Sequence, residues 1–231
     1  SAVLAIDVGF FEASNTGNDT ALYTALKNSY NVVLTMEYTN FSRRNEIQNG
    51  IFTGQQNSVL MGQGYMLPLP AYNISQLENV HLGYVNVITD SDGITRSLNL
   101  NVEGNYESLA LEAYSRYVNV KGDELLNIKQ SRLLINFVGK PHTFKEYSFS
   151  DVINGRVNKK DFDNAVIFVG ATAPDLHDDY FVPTSGGRAM PGVEIHANTF
   201  QTLITKNYLR EVSYWITILL ILITAMLVFL L

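Results

Sequence analysis

The last eighteen residues of the chain, 214–231, carry no charged side chain and constrain the fold more than any other stretch. Beyond the leading Tyr214 and Trp215, their only polar residues are Thr217 and Thr224. As a helix rising about 1.5 Å per residue they would reach about 27 Å, just under the roughly 30 Å of a hydrocarbon core. The two aromatic residues stand where interfacial side chains are expected. The stretch therefore predicts the start of a transmembrane helix that continues in a longer protein, rather than a buried core helix.

The rest of the chain is long enough to form a water-soluble body with its own core. It shows no internal repeat and no linker, which favours one domain over 1–210 and the start of the membrane helix over 211–231. The net charge of −6 leaves no basic patch for phosphates, so a nucleic-acid partner is excluded. The absence of cysteine excludes a disulfide scaffold, a thiolate zinc site and a cysteine nucleophile.

Near the N-terminus the pattern is strand, helix, strand. Short apolar runs cover 2–8 and 31–36, and a helix with an apolar stripe is expected over 18–29. A crossover helix of this length joins parallel strands, so a βαβ unit is predicted.

The next part reads as loops, one strand and one hairpin. Residues 37–56 are polar and predict a long loop, 57–61 a strand, and 62–70 a turn-rich segment. Residues 81–100 predict an antiparallel hairpin, because Asp90-Ser91-Asp92-Gly93 separates two apolar runs and Gly93 accepts a positive φ.

Helices and strands alternate in the second half. Helices are expected over 106–120, 149–154 and 191–209, the last begun by Pro191, and strands over 132–138 and 165–169. The predicted fold is therefore α/β, with a mixed sheet of a βαβ parallel part plus one antiparallel hairpin, flanked by helices and followed by a C-terminal transmembrane helix.

Five stretches, in this order, resemble the CHASE2 sensor domain of bacterial transmembrane receptors. They are Gly83-Tyr84-Val85-Asn86 with Asp90-Ser91-Asp92-Gly93-Ile94-Thr95-Arg96; Ile135-Asn136-Phe137-Val138-Gly139; Phe149-Ser150-Asp151-Val152-Ile153; Val166-Ile167-Phe168-Val169-Gly170-Ala171-Thr172-Ala173; and residues 178–183 with Pro191-Gly192-Val193-Glu194-Ile195-His196-Ala197-Asn198. The chain departs from the pattern at Val182, where the family usually has threonine before Pro183.

The resemblance implies an extracytoplasmic domain, here trimmed at its N-terminus, anchored in the cell membrane. Members carry a cytoplasmic output such as a histidine kinase, a nucleotide cyclase or a Ser/Thr kinase. Their ligands are largely undefined, so the partner is an unknown small molecule or protein, and the fragment itself is expected to be neither an enzyme nor a cofactor carrier.

Candidate ligand-binding residues come from the loops after the later strands, because loops at the carboxyl ends of parallel strands usually form the cleft. They are Thr172, Asp178, Asp179, Tyr180, Arg188, Glu194 and His196. The family-like motifs also supply residues expected to be structural, namely Asp90, Asp92, Gly93, Arg96, Gly170, Pro183, Pro191 and Gly192.

Metal binding is the main chemical alternative. His177, Asp178, Asp179, Glu194 and His196 are suitable ligand types. Glu194 and His196, however, are two positions apart on a helix and point away from each other. A hydrogen-bonded structural role for His196, holding the 178–183 loop on the helix, is therefore preferred to a metal site. Asp90 and Asp92 are expected to cap the turn and pair with Arg96 rather than bind calcium.

The sequence thus predicts a ligand-sensing ectodomain that signals through the 192–209 helix, and a homodimer, because a single span transmits mainly by moving against another. Two alternatives remain open: a structural or dimerising ectodomain without a ligand, and an exported metalloenzyme or hydrolase. It is also open whether 210–213 continues the helix or breaks it.

Overall fold

The computed structural model describes residues 2–12, 14–41, 47–48, 51–52, 62–66, 77–102, 106–119, 132–173, 176 and 178–230. The strands are β1 (Val3–Asp7), β2 (Val32–Phe41), β3 (Ile47–Gln48), β4 (Ile51–Phe52), β5 (Gly62–Met66), β6 (Val80–Tyr84), β7 (Ser97–Asn99), β8 (Asn101–Val102), β9 (Tyr106–Glu107), β10 (Arg132–Leu134), β11 (Val166–Gly170), β12 (Asp179–Tyr180) and β13 (Met190–Pro191). The helices are α1 (Thr16–Lys27), α2 (Leu109–Val118), α3 (Phe149–Ile153), α4 (Gly192–Thr205) and α5 (Tyr214–Leu230), with a 3₁₀ turn at Lys159–Phe162.

Four parallel strands, in the order β11-β1-β2-β6, form the centre of the fold. Leu4 pairs with Val32, and Ala5 pairs with Phe168 on the other side. The predicted βαβ unit is confirmed as β1-α1-β2. The far end of β2 pairs antiparallel with β5.

Helices cover both faces of this sheet because its strands are apolar on both faces. On one face, Leu26 of α1 packs with Leu34 and Val80. On the other, Val33 packs with Leu109 of α2, while Phe200 of α4 lies against the same cluster. The result is a three-layer α/β/α arrangement, and the predicted mixed α/β class is confirmed.

Helix α2 begins later than predicted, at Leu109 rather than at residue 106. The Ser108 hydroxyl caps it, accepting from the Leu111 N–H at 3.2 Å. The helix lies directly on β6, since a Cβ at Gly83 would be 2.5 Å from the Leu109 Cα. Only glycine permits this close approach, which explains one residue of the family-like motif.

The region predicted as a loop from residue 37 is strand as far as Phe41, because β2 continues past the parallel part to pair with β5. The turn-rich prediction for 62–70 is wrong for Gly62–Met66, which form β5. The strand predicted over 57–61 lies outside the described residues.

The antiparallel turn forms as predicted. Gly93 has φ 81° and its N–H donates to the Asp90 carbonyl at 2.9 Å. The two arms meet at the single Ile88–Ser97 bridge, whereas Val80–Tyr84, just before it, joins the parallel sheet.

Helix α4 ends at Thr205, four residues earlier than predicted. Lys206 adopts the left-handed conformation with φ 54°, and 206–213 is not helical. The Asn136 side chain donates to the Asn207 carbonyl at 3.2 Å, and Tyr208 packs against the cluster that contains Leu203. The chain thus stays on the domain as far as Tyr208.

Residues 209–213 are exposed and lead into α5 (Tyr214–Leu230). The 17 residues of α5 are uncharged. Among the described residues, no helix combines the length and the hydropathy that crossing a bilayer requires.

Candidate functional site

A pocket of about 290 Å³ lies at the carboxyl ends of β1 and β6 and where the parallel part of β2 ends, beside the start of α4. This is the edge of a parallel sheet at which ligands usually bind. Its described lining residues are mostly polar or small: Asp7, Gly9, Phe11, Thr35, Glu37, Val85, Asn86, Val87, Asp178, Tyr180, Gly192 and His196.

Asp7 is the last residue of β1 and lies beside Gly170 at the end of β11. Burial raises the pKa of its carboxyl to about 6, and a hydrogen bond with the Thr35 side chain opposes this only in part. The Thr35 hydroxyl also donates to the Ile6 carbonyl at 2.7 Å. An acid of this kind changes its charge near neutral pH.

Asp178 lies across the pocket, against the first turn of α4. Its carbonyl accepts the Gly192 N–H at 2.8 Å, and a Cβ at Gly192 would lie 2.4 Å from a carboxyl oxygen. Glycine is therefore required for the carboxyl to sit on the helix. Burial, reinforced by the charge of Asp7, raises the pKa of Asp178, while His196 and Tyr180 act in the opposite direction.

Tyr180 and Glu37 also line the pocket. Burial, followed by the charge of the hydrogen-bonded Asp178, raises the pKa of Tyr180 to about 12, so its hydroxyl remains protonated. Burial also raises the pKa of Glu37. Among the described lining residues there is neither lysine nor arginine, so nothing there neutralises the carboxylates.

His196 lies one turn after Gly192 and is 1% exposed. Its Nε2 is 3.9 Å from Asp7 Oδ2, too far for a hydrogen bond, and no described residue partners its Nδ1. Burial lowers the pKa of the ring to about 4, although Asp178 and the Val85 backbone favour the charged form. The imidazole is therefore neutral at pH 7.

Three of the seven predicted ligand-binding residues, Asp178, Tyr180 and His196, meet in this pocket. His196 is buried on α4 as expected, but the predicted hydrogen-bonded role does not account for its unpaired Nδ1.

The other four do not line the pocket. Thr172 and Arg188 are exposed, and Asp179 pairs with Pro191 between β12 and β13. The buried Glu194 side chain accepts the backbone N–H groups of His142 and Thr143 at 2.8 and 3.1 Å. It anchors that loop to α4 and lies apart from His196, as the helical spacing predicts.

His142, Glu146 and Glu194 are the residues that could hold a metal ion in the described part of the chain, since their ligand atoms lie within 4.8 Å of one another. Both Glu194 oxygens already accept backbone N–H groups, and His142 Nδ1 lies 2.8 Å from Glu146 Oε1. This arrangement holds a loop. His177, a candidate metal ligand in the sequence, lies outside the described residues.

The motif residues at the turn behave as expected. Arg96 binds Asp92 and Asp90 at 2.7 and 2.9 Å, and Gly93 has a positive φ. At the end of β11, Gly170 lies against Val193, where a Cβ would be 2.6 Å from the valine Cβ.

Sequence reasoning missed Asp7, Thr35, Glu37 and Asn86 as lining residues. Asp7 carries a signal that could have found it, because a carboxylate directly after an apolar parallel strand points to the ligand-binding edge of a sheet. Glu37 carries the same signal, because it directly follows the strand expected over 31–36.

The fold and pocket define an α/β domain with a polar ligand-type cleft at the carboxyl edge of its parallel strands. The family model described as the CHASE2 domain matches residues 1–231, the whole length given, and the chain belongs to this family. CHASE2 domains are extracytoplasmic sensor domains and are not catalytic. Neither a curated protein nor a solved structure matches the chain.

Proposed function

We propose that this domain senses a small ligand on the extracytoplasmic side of the cell membrane and passes the signal through α4 to a cytoplasmic kinase or nucleotide cyclase. One observation carries the proposal: the pocket is lined both by the sheet, through Asp7 and Glu37, and by α4, through Gly192 and His196. A molecule in the pocket therefore contacts both elements. Signalling requires that it bind two arrangements of these elements with different affinity.

The route away from the pocket follows the chain. Helix α4 runs from the pocket to Thr205, and Tyr208 holds the following residues on the domain. Residues 209–213 then connect to α5. A shift of α4 relative to the sheet moves the Tyr208 end, and 209–213 carry this displacement onward.

Helix α5 is proposed as the start of a membrane segment. It has no charged residue, and its large apolar side chains are exposed, Trp215 by 75%. Such a surface is unfavourable in water and favourable in a bilayer. We also propose a homodimer, in which ligand binding changes how two such segments lie against each other.

Trp215 is the only tryptophan and stands at the start of α5, so it provides the readout. The full chain in phosphatidylcholine nanodiscs would be screened with a metabolite library by thermal unfolding. Compounds that raise the melting temperature by mass action are then tested for a change in Trp215 emission or anisotropy. We expect a ligand that does both.

The control is Asp92→Asn, which alters the exposed turn away from the pocket and is expected to retain both responses. Compounds that stabilise the domain but leave Trp215 unchanged would contradict the signalling route. A library without any stabilising compound, together with a stable dimer in sedimentation, would favour a purely structural ectodomain.

A further inference from the structure

The pocket combines several acidic side chains with partial burial. Three carboxylates line it, from Asp7, Glu37 and Asp178, and the described lining residues include no basic side chain. Burying carboxylates without a neighbouring cation is costly, and the raised pKa of each reflects that cost.

Several basic residues of the described chain form ion pairs with carboxylates outside the pocket. The arginine and lysine side chains within 2.7–2.9 Å of acidic groups outside the pocket are those of Arg96, Arg116, Arg132, Lys145 and Arg156. These acids outside the pocket are therefore paired, whereas no arginine or lysine is found among the described residues that line the pocket.

His196 is the second, independent observation. It is fully buried, lines the pocket and is neutral at pH 7, and its Nε2 lies 3.9 Å from Asp7 Oδ2, too far for a hydrogen bond between them. A neutral imidazole beside a carboxylate can accept a hydrogen bond from a donor placed between them.

We infer that the pocket binds a small organic cation with a protonated primary amine, held between Asp7 and His196 and facing Asp178. This deepens, and rests on, the proposed sensing function. The apolar part of the ligand would lie against Phe11, Val85 and Val87, which also line the pocket.

The spacing favours an ammonium over a Zn²⁺ or Mg²⁺ ion. Asp7 Oδ2 and His196 Nε2 are 3.9 Å apart. An ammonium nitrogen about 2.8 Å from both atoms subtends about 90° between them, about 20° less than the tetrahedral angle between its N–H groups, which two slightly bent hydrogen bonds accommodate. A Zn²⁺ or Mg²⁺ ion about 2.1 Å from both would require about 135°, wide of the tetrahedral or octahedral angles that its coordinate bonds require. The volume of about 290 Å³ also exceeds the space that a single ion needs.

Ammonium binding favours ionised carboxylates, so affinity should fall on acidification. Among the described lining residues, the titratable groups are Asp7 from β1, Glu37 from β2, Asp178 just before β12, Tyr180 of β12 and His196 from α4; Val85, Asn86 and Val87 after β6 carry no charge. Asp7, whose pKa is about 6, loses its charge first as pH falls from 7.5 to 5. Binding should weaken several-fold over this range.

The test uses the full chain in nanodiscs, with thermal unfolding and calorimetry at pH 7.5. The probes are n-butylammonium, 1,4-diaminobutane and benzylammonium chlorides. The comparison probes are tetramethylammonium, which has no N–H, sodium butyrate, and the chlorides of Mg²⁺, Ca²⁺ and Zn²⁺. We expect saturable stabilisation by at least one primary amine and by none of the comparison probes.

Asp7→Asn should weaken amine binding at least tenfold, and His196→Gln should weaken it as well, whereas Asp92→Asn should leave it unchanged. A panel in which no amine binds overturns the inference, as does binding that survives Asp7→Asn, or binding of butyrate or a metal ion alone. Amine binding without a Trp215 response would instead contradict the signalling route and leave the cation site standing. A Trp215 response to an uncharged or anionic compound would contradict the cation site and leave the signalling route standing.

Discussion

The Asp90–Arg96 turn and the pocket hold the same kind of side chain in opposite electrostatic conditions. At the turn, Arg96 binds both Asp90 and Asp92, and Arg132 reaches Asp90 at 2.9 Å. Hydrogen bonds from Arg96, followed by the Ile94 N–H, lower the pKa of Asp92 to about 2. Both acids are at least partly exposed and are paired with arginine side chains.

In the pocket, Asp7 is largely buried, Glu37 and Asp178 are half-buried, and each has a raised pKa. The turn fixes a local structure by using its own cations. The pocket carboxylates have no cation beside them among the described lining residues, so a bound ligand or protons must neutralise them. Charge pairing therefore separates the structural acids of this fold from those proposed to bind a ligand.

The largest expected effect comes from removing the charge of Asp7. Folding raises its pKa from 3.8 to about 6, so the folded state favours the protonated acid, and this contribution is lost as pH rises through 6. Asp7→Asn resembles the protonated form. At pH 8 it should increase the free energy of unfolding by about 3 kcal/mol, and the gain should vanish below pH 4.

For a chain of this size the gain corresponds to a rise in melting temperature of about 6–12 °C. Urea unfolding of both proteins from pH 4 to pH 8 measures it, with Glu37, Asp178, Tyr180 and His196 present in each. A variant that is no more stable than the parent at pH 8 would mean that Asp7 has a partner cation after all.

A smaller effect is expected at the glycine that supports Asp178. Gly192→Ala places a Cβ 2.4 Å from the Asp178 carboxyl, and relieving this overlap should cost about 1–3 kcal/mol and displace the carboxyl. The matched control is Gly17→Ala in α1, where the new Cβ meets only Asn15 Oδ1 at 3.4 Å. The control should be neutral or slightly stabilising, because alanine is the better helix former. Equal stability of the two variants in urea would contradict the close packing of Asp178 on α4.

The smallest effect is expected from Asp92→Asn at the turn, with a sign opposite to that of Asp7→Asn. The lowered pKa of Asp92 means that its stabilisation is present above 3.8 and is lost as pH falls through about 2. The variant should therefore unfold slightly more easily at pH 7. Because the pair is exposed, the difference should disappear in 1 M salt. A salt-independent loss would show that Asp92 supports the fold by something other than its ion pair.

Local sequence patterns predicted the Asp90–Arg96 turn, whose acids have a structural role. The Asp-Ser-Asp-Gly turn, the Arg96 pairing and the β1-α1-β2 unit all follow from residues close together in sequence. The start of α4 just after Pro191 likewise follows from residues close together in sequence. In each case the chemistry that decides the structure lies within a few residues of the pattern.

The pocket could not be predicted as a whole, because its walls come from opposite ends of the chain. Asp178, Tyr180 and His196 were expected from their position after the later strands, whereas Asp7 and Glu37 join them only through the parallel pairing of β1 with β11 and β2. Arg188 and Thr172 were expected on the basis of loop position, but loop position does not decide which way a side chain points. Glu194 faces another loop for a reason visible in helical spacing alone.

The end of α4 at Thr205 limits the kind of conformational change that can pass out of the domain. A continuous helix would carry torque, so a rotation at the pocket would become a rotation of the next segment. The five exposed residues 209–213 are not helical and cannot carry torque. Fully extended, they reach at most about 18 Å, so they limit the distance between Tyr208 and α5 while leaving the orientation of α5 free. In the proposed receptor dimer, the information passed to the membrane is therefore the distance between the two Tyr208 anchor points.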